Sequence, residues 1–218
     1  MADVDDKEPH AGQPVAEAGL PLGQAPAAVI MVHGRGATPA DILDLVPRLG
    51  RPNLTYLAPA AANRTWYPHS FMTEIAGNEP GLSSGLAVLE SLVGRIQAAG
   101  VPRSRVVLLG FSQGACLAAE FAVRHASRFG GLVLFSGGAI GPPGTRWDYP
   151  GRFDGTPAFL GCSDADSHVP ESRVNETAEL FSRVGADVTT RIYPGMGHLV
   201  NDDEIVCAQR LIDRGVSG

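Results

Sequence analysis

Serine 112 lies in Gly110-Phe111-Ser112-Gln113-Gly114, and G-x-S-x-G is a setting in which a serine hydroxyl can attack a carbonyl carbon. Near neutral pH such a hydroxyl needs a base to take its proton, and the base needs a carboxylate to orient it. The chemistry to look for is therefore a Ser, acid, His set, in that chain order when the serine sits on a strand-to-helix elbow. A second pentapeptide, Gly81-Leu82-Ser83-Ser84-Gly85, fits the same pattern. The pattern cannot separate the two; their surroundings can.

The apolar run Val106–Leu109 (VVLL) leads straight into Gly110, and helical sequence begins at Gln113. That is the strand–turn–helix context an exposed nucleophile requires, with the helix N-terminus aimed at the reaction centre. Gly81–Gly85 instead follows Asn78-Glu79-Pro80 with no strand before it, so Ser83 and Ser84 read as first-turn helix residues. Of the six histidines only His125, His168 and His198 follow Ser112. His125 is too far along the helix from Gln113 to reach back, and is expected at the surface. His198 follows the run Val188–Ile192 through Tyr193-Pro194-Gly195-Met196-Gly197, whose glycines let a ring approach closely, and is the expected base.

The acid belongs in Cys162-Ser163-Asp164-Ala165-Asp166-Ser167-His168-Val169-Pro170, after Ala158–Gly161, where Asp164 and Asp166 both qualify. Asp-Ala-Asp-Ser-His could also ligate a metal, but one loop offers few ligands and no second cluster accompanies it, so no metal is expected. The first apolar run ends in His33-Gly34-Arg35-Gly36. Such a turn can donate one backbone N–H to an oxyanion and the residue after the nucleophile the other, which makes Arg35 and Gln113 the expected hole. Cys116, one helical turn beyond Ser112, reads as a packing residue.

The elements that must position these groups are legible as alternating runs. Strands are expected at Ala27–Val32, Leu54–Ala58, Val106–Leu109, Leu132–Phe135, Ala158–Gly161 and Val188–Ile192. Most are short and almost wholly apolar, as strands buried on both faces of a parallel sheet are. Amphipathic helices are expected at Leu82–Ala99, Gln113–His125, Glu171–Val184 and Asp202–Asp213. The alternation implies right-handed βαβ units: an α/β fold with a mainly parallel central sheet and helices on both faces. Ligands then sit at the carboxyl ends of the strands, where Ser112, His198, the Asp164–Asp166 loop and the His33–Gly36 turn lie. Ser136–Pro157, rich in Gly and Pro and carrying Trp147 and Tyr149, is too short for a helical lid domain. An open site for short or medium acyl esters follows, with Phe71, Met72 and Ile75 as lining candidates.

Composition excludes other classes. The 218 residues, 44% hydrophobic and 18% charged, fit one globular domain, expected over residues 27–218. A net charge of −6 gives no basic face for nucleic acid or anionic lipid. Cys116, Cys162 and Cys207 are widely spaced, which argues for a reducing compartment, and a cytoplasmic location is expected. Residues 1–26 lack the basic and apolar regions of a signal peptide and are expected to form a flexible tail. No apolar run has the length of a membrane span, so no stable membrane insertion is expected.

Together VHGRGA, LLGFSQGACLA, GCSDADSHVP and YPGMGHLV resemble the α/β-hydrolase fold, and within it the bacterial carboxylesterase/phospholipase family related to acyl-protein thioesterases. The resemblance covers about residues 27–212. It implies that Asp166, four residues before the Pro of Val-Pro, is the acid, and that Trp66-Tyr67 lies near the acyl site. It implies a small-molecule ester substrate, no cofactor, and a homodimer. Arg35 replaces the apolar residue usual after His-Gly in the thioesterase branch, and Ser167 the Pro usual after the acid. These departures shift the expectation from protein depalmitoylation towards a general carboxylesterase. A thioesterase or lysophospholipase for long acyl chains is the alternative. A non-catalytic binding protein would have no need to keep Ser112, Asp166 and His198 together.

Overall fold

A computed structural model describes residues 7–216 of the chain. Seven strands form one sheet: β1 (Val15–Gly19), β2 (Ala28–Val32), β3 (Thr55–Pro59), β4 (Val106–Phe111), β5 (Gly131–Phe135), β6 (Pro157–Ser163) and β7 (Asp187–Tyr193). Their order is β1-β3-β2-β4-β5-β6-β7, and all neighbours are parallel except β1 with β3. Strands β2 to β6 are almost entirely buried, which is why their sequences are continuous apolar runs rather than alternating ones.

Among the described residues six α-helices cover the two faces: α1 (Pro39–Leu43), α2 (Val46–Leu49), α3 (Gly81–Ala98), α4 (Gln113–Arg124), α5 (Glu171–Val184) and α6 (Asp202–Val216). Because successive strand residues point to opposite faces, β2 splits its side chains between two cores. Ile30 and Val32 join Leu86, Leu117 and Phe181 from α3, α4 and α5. Val29 and Met31 join Ile42, Leu49, Ile205 and Ile212 from α1, α2 and α6. The expected strands and long helices agree with these elements to within two or three residues at their ends. The chain has an α/β-hydrolase fold.

The flexible tail expected over residues 1–26 is corrected within residues 7–26; residues 1–6 lie outside the described residues. Val15–Gly19 pairs with β3 from Val15 opposite Pro59 to Gly19 opposite Thr55. Just before it, His10 is buried, its Nε2–H donating to the Trp66 carbonyl (2.8 Å) while Nδ1 accepts the Ala62 N–H (3.0 Å). An edge strand held mainly by backbone pairing carries no hydrophobic signature, and β1 alternates only between partly buried and exposed positions.

The segment joining β5 to β6 contains no helix, and its first six residues are buried. Arg173 of α5, itself buried, donates to the carbonyls of Ala139 and Gly141 (both 2.8 Å) and stacks against Trp147 and Phe71. Among the described residues no lid domain covers the carboxyl ends of the strands. Among the described residues no helix is long and apolar enough to cross a membrane.

Candidate active site

Ser112 occupies the tip of the turn between β4 and α4 with φ 54° and ψ −122°, backbone angles that non-glycine residues rarely hold. The turn is over-determined by its surroundings. The Ser112 N–H donates to Phe135 O (2.9 Å), and both glycines of the pentapeptide are forced by close approach. A Cβ on Gly110 would lie 2.5 Å from Gly114 O, and one on Gly114 would lie 2.1 Å from Val32 O. The G-x-S-x-G spacing thus records two backbone contacts that leave the serine side chain projecting from the sheet.

Ser112 Oγ is 2.9 Å from His198 Nε2, and His198 Nδ1 is 2.7 Å from Asp166 Oδ2. The Asp166 side chain is fully buried, whereas that of His198 is 20% exposed. Burial alone would raise the Asp166 carboxyl. Its hydrogen bond with His198 and the amides of His168 (2.8 Å) and Val169 (3.0 Å) on Oδ1 outweigh that and hold it below the usual carboxylate range. Asp164, the other acid the loop offered, does a different job: its Oδ1 accepts the Gly195 N–H (2.8 Å). With Ser163 Oγ accepting the Gly197 N–H (3.0 Å), it ties down the turn that carries His198.

The turn after β2 brings Arg35 alongside. Its backbone bonds run from Gly36 N–H across to Arg64 O, beyond β3, and from Ala37 N–H to Gly34 O within the turn, so the Arg35 amide takes no part in them. The Gln113 amide opens α4 and has no acceptor within the helix. The Gln113 side chain is buried and pairs like a strand neighbour with the loop above it, accepting from Trp66 N–H (3.0 Å) and donating to Tyr67 O (2.8 Å). His33 is also buried: its Nδ1–H donates to Gly34 O and its Nε2 accepts the Ala61 N–H. Burial lowers the pKa of both His10 and His33, which serve as neutral struts under this loop.

A cavity of about 470 Å³ opens over Ser112 and His198, walled by Tyr67, Phe71, Phe111 and Val169 and floored by buried Cys116. Of the five expected lining residues, Tyr67 and Phe71 border it. Trp66, Met72 and Ile75 do not, and those expectations are corrected. Trp66 is fully buried and donates its Nε1–H to His33 O (2.9 Å), while Met72 and Ile75 pack against the core. Sequence reading missed His69 and His168 as lining residues. His168 stacks edge-on against His198 with ring centroids 4.7 Å apart. Its place beside the acid in DADSH was the available signal; His69 left none.

Ser83 lies on the exposed start of α3, where its N–H and Oγ both donate to the Glu79 carboxylate (2.9 and 2.8 Å). Ser84 Oγ accepts the His10 N–H (2.9 Å). His125 is partly buried at the end of α4, its ring stacked on Phe121. Cys116 is buried, and burial pushes its thiol up to about 12, so it stays protonated.

Behind the His198 turn, Asn201 and Glu204 cap α6 reciprocally, Asn201 N–H to Glu204 Oε2 (2.9 Å) and Glu204 N–H to Asn201 Oδ1 (2.8 Å). Glu204 is fully buried, its Oε1 pressed against Gly161, and burial pushes its carboxyl up to about 7. A native pKa above the unfolded value means that its stabilisation is complete below about pH 4.5 and is lost as pH rises through 7. Glu204→Gln keeps the cap without the charge. It is expected to stabilise the fold at pH 8 by roughly 3 kcal/mol and to give no gain at pH 4. Urea unfolding at the two pH values measures both.

Comparison with known proteins accords with this architecture. A model of the phospholipase/carboxylesterase family matches residues 16–214. An acyl-protein thioesterase 1 of Eremothecium gossypii is 30% identical over 152 residues, 66% of this chain and 61% of that protein. Matches to two further acyl-protein thioesterases span 46% and 58% of their lengths, so the chain covers less than two thirds of each. A phospholipase/carboxylesterase structure from Dyadobacter fermentans superposes with a TM-score of 0.89 at 39% identity, covering 92% of this chain and 96% of that one. The carboxylesterase of Bacillus cereus, at 19% identity and a TM-score of 0.73, shares the fold. With the family model spanning nearly every element from β1 to α6, the chain belongs to the phospholipase/carboxylesterase family.

Proposed function

We propose that the protein is a serine carboxylesterase that hydrolyses short- to medium-chain carboxylic esters through Ser112, His198 and Asp166. The observation that carries this reading is the unbroken run of hydrogen bonds from Ser112 Oγ through the imidazole to a buried carboxylate. Ser112 Oγ attacks the ester carbonyl while His198 Nε2 takes its proton, and Asp166 stabilises the imidazolium. The carbonyl oxygen becomes an oxyanion held by the amides of Arg35 and Gln113. His198 then protonates the departing alcohol as the C–O bond breaks, leaving an acyl-serine. A water deprotonated by His198 attacks that acyl-serine, releasing the carboxylic acid and returning the proton to Oγ. No step calls for a metal or an organic cofactor.

A short acyl chain is supported by the cavity, whose lining includes the buried Cys116 and Phe71 and which no lid among the described residues extends. A second reading, hydrolysis of long acyl chains, is favoured by the names of relatives: acyl-protein thioesterase 1, and a mouse lysophospholipase-like protein 1 that is 22% identical over 85% of both chains. Comparing kcat/KM for p-nitrophenyl butyrate, a palmitoyl thioester and a lysophospholipid separates the two. The butyrate ester is expected to match or exceed both long-chain substrates, since a CH₂ left outside an apolar pocket gains none of the about 0.8 kcal/mol that its burial would supply. A preference for either long-chain substrate would replace this reading by the second.

A further inference from the structure

The cavity wall has an electrostatic character that the proposed chemistry does not use. Arg35 projects into it with its guanidinium anchored by two backbone carbonyls, Nη1–H to Pro68 O (2.9 Å) and Nη2–H to His69 O (2.7 Å), and set over the Tyr67 ring. Two of its five N–H donors are thereby spent, and the remaining three stay in a fixed planar fork. Arg35 is exposed, and among the described residues it forms no ion pair. The other titratable residues lining the cavity are Tyr67, His69, His168, His198 and Cys116; none is an Asp or a Glu. Asp166, the acid behind His198, has its side chain fully buried and is already satisfied by His198 and two amides. A cavity of this sign is unexpected in a protein with 23 acidic and 17 basic residues.

We propose that the Arg35 guanidinium receives an anionic group, carboxylate or phosphate, borne by the ester that enters this cavity. The substrate class is then an anionic ester, a refinement that rests on the ester-hydrolase reading above. A guanidinium pre-oriented by two carbonyls matches the paired oxygens of either anion. Its position on the turn whose amide faces the oxyanion means that one substrate can span both groups, the reacting carbonyl at Ser112 and the anion along the Pro68-His69 wall. Arg35 as a mere staple between loops predicts something different, because a staple supports neutral and anionic esters equally.

The test measures a selectivity ratio, so that any general loss of activity from a disturbed loop cancels. Two matched pairs are hydrolysed by the wild type, Arg35→Met and Arg35→Lys. One pair is mono-p-nitrophenyl succinate against p-nitrophenyl butyrate; the other is butyrylglycerol phosphate against monobutyrin. The wild type is expected to favour the anionic member of at least one pair. Arg35→Met should cut that anionic-to-neutral ratio of kcat/KM by about 10- to 100-fold, and Arg35→Lys should restore part of it. The pair that responds identifies the anion as carboxylate or phosphate. Ratios unchanged by Arg35→Met in both pairs, or a wild type that prefers the neutral esters, would overturn the role of Arg35 and leave the hydrolase reading intact. A folded wild type inactive on all four esters would overturn both.

Discussion

Ser112→Ala is expected to lower kcat on a short-chain ester by about 10⁴-fold or more, with the protein still folded. The substitution removes only Oγ, the atom 2.9 Å from His198 Nε2, and every contact that shapes the elbow runs through the backbone or the flanking glycines. His198→Ala should cost a similar factor, and the double variant little more than either alone, because residues that act as one unit are not additive. Ser83→Ala is the matched control from the other G-x-S-x-G stretch. Its hydroxyl serves the Glu79 carboxylate at the start of α3, so kcat should stay near the wild-type value. Steady-state kinetics with circular dichroism on each variant checks all of these, and a loss of only a few-fold for Ser112→Ala would remove the serine from the mechanism.

Asp166→Asn is expected to lower kcat by roughly 10⁴-fold, since an amide can present an N–H to Nδ1 and so favour the wrong tautomer of the base. The two amides on Oδ1 sharpen the effect, because they hold the amide oxygen on their side and turn its NH₂ towards the imidazole. Asp164→Asn should behave differently. Its Oδ1 only accepts the Gly195 N–H, a bond an amide oxygen can also accept, so kcat is expected to fall less than about tenfold. Kinetics of the two variants at saturating substrate discriminates them. Equal losses would mean that the loop, not one carboxylate, supports His198.

These residues also mark how far the chain could be read unaided. The central strands announce themselves because burial on both faces forces apolar runs such as AVIMV and VVLL, and the helix after Ser112 follows from its context. Edge strand β1 escaped because backbone pairing leaves little trace in side chains. Helices α1 and α2 span five and four residues, too few for a 3.6-residue period to show. Asp164 and Asp166 are alike in residue type and loop, so the family resemblance alone pointed to Asp166, and the fold shows one carboxylate meeting a ring while the other meets a turn amide. Trp66 and Tyr67 diverge for the same kind of reason. Adjacent loop residues point apart, so the indole enters the core while the phenol ring faces the cavity. The reach of Arg35 to Pro68 and His69 is a contact between distant segments that no local pattern encodes.

The central claim, that Ser112 is the nucleophile, is tested most directly by reacting the protein with a fluorophosphonate probe and mapping the modified peptide. A single adduct on Ser112, abolished in Ser112→Ala and in His198→Ala, is the expected result. An adduct on Ser83 or another serine, or no adduct on folded protein, would contradict it.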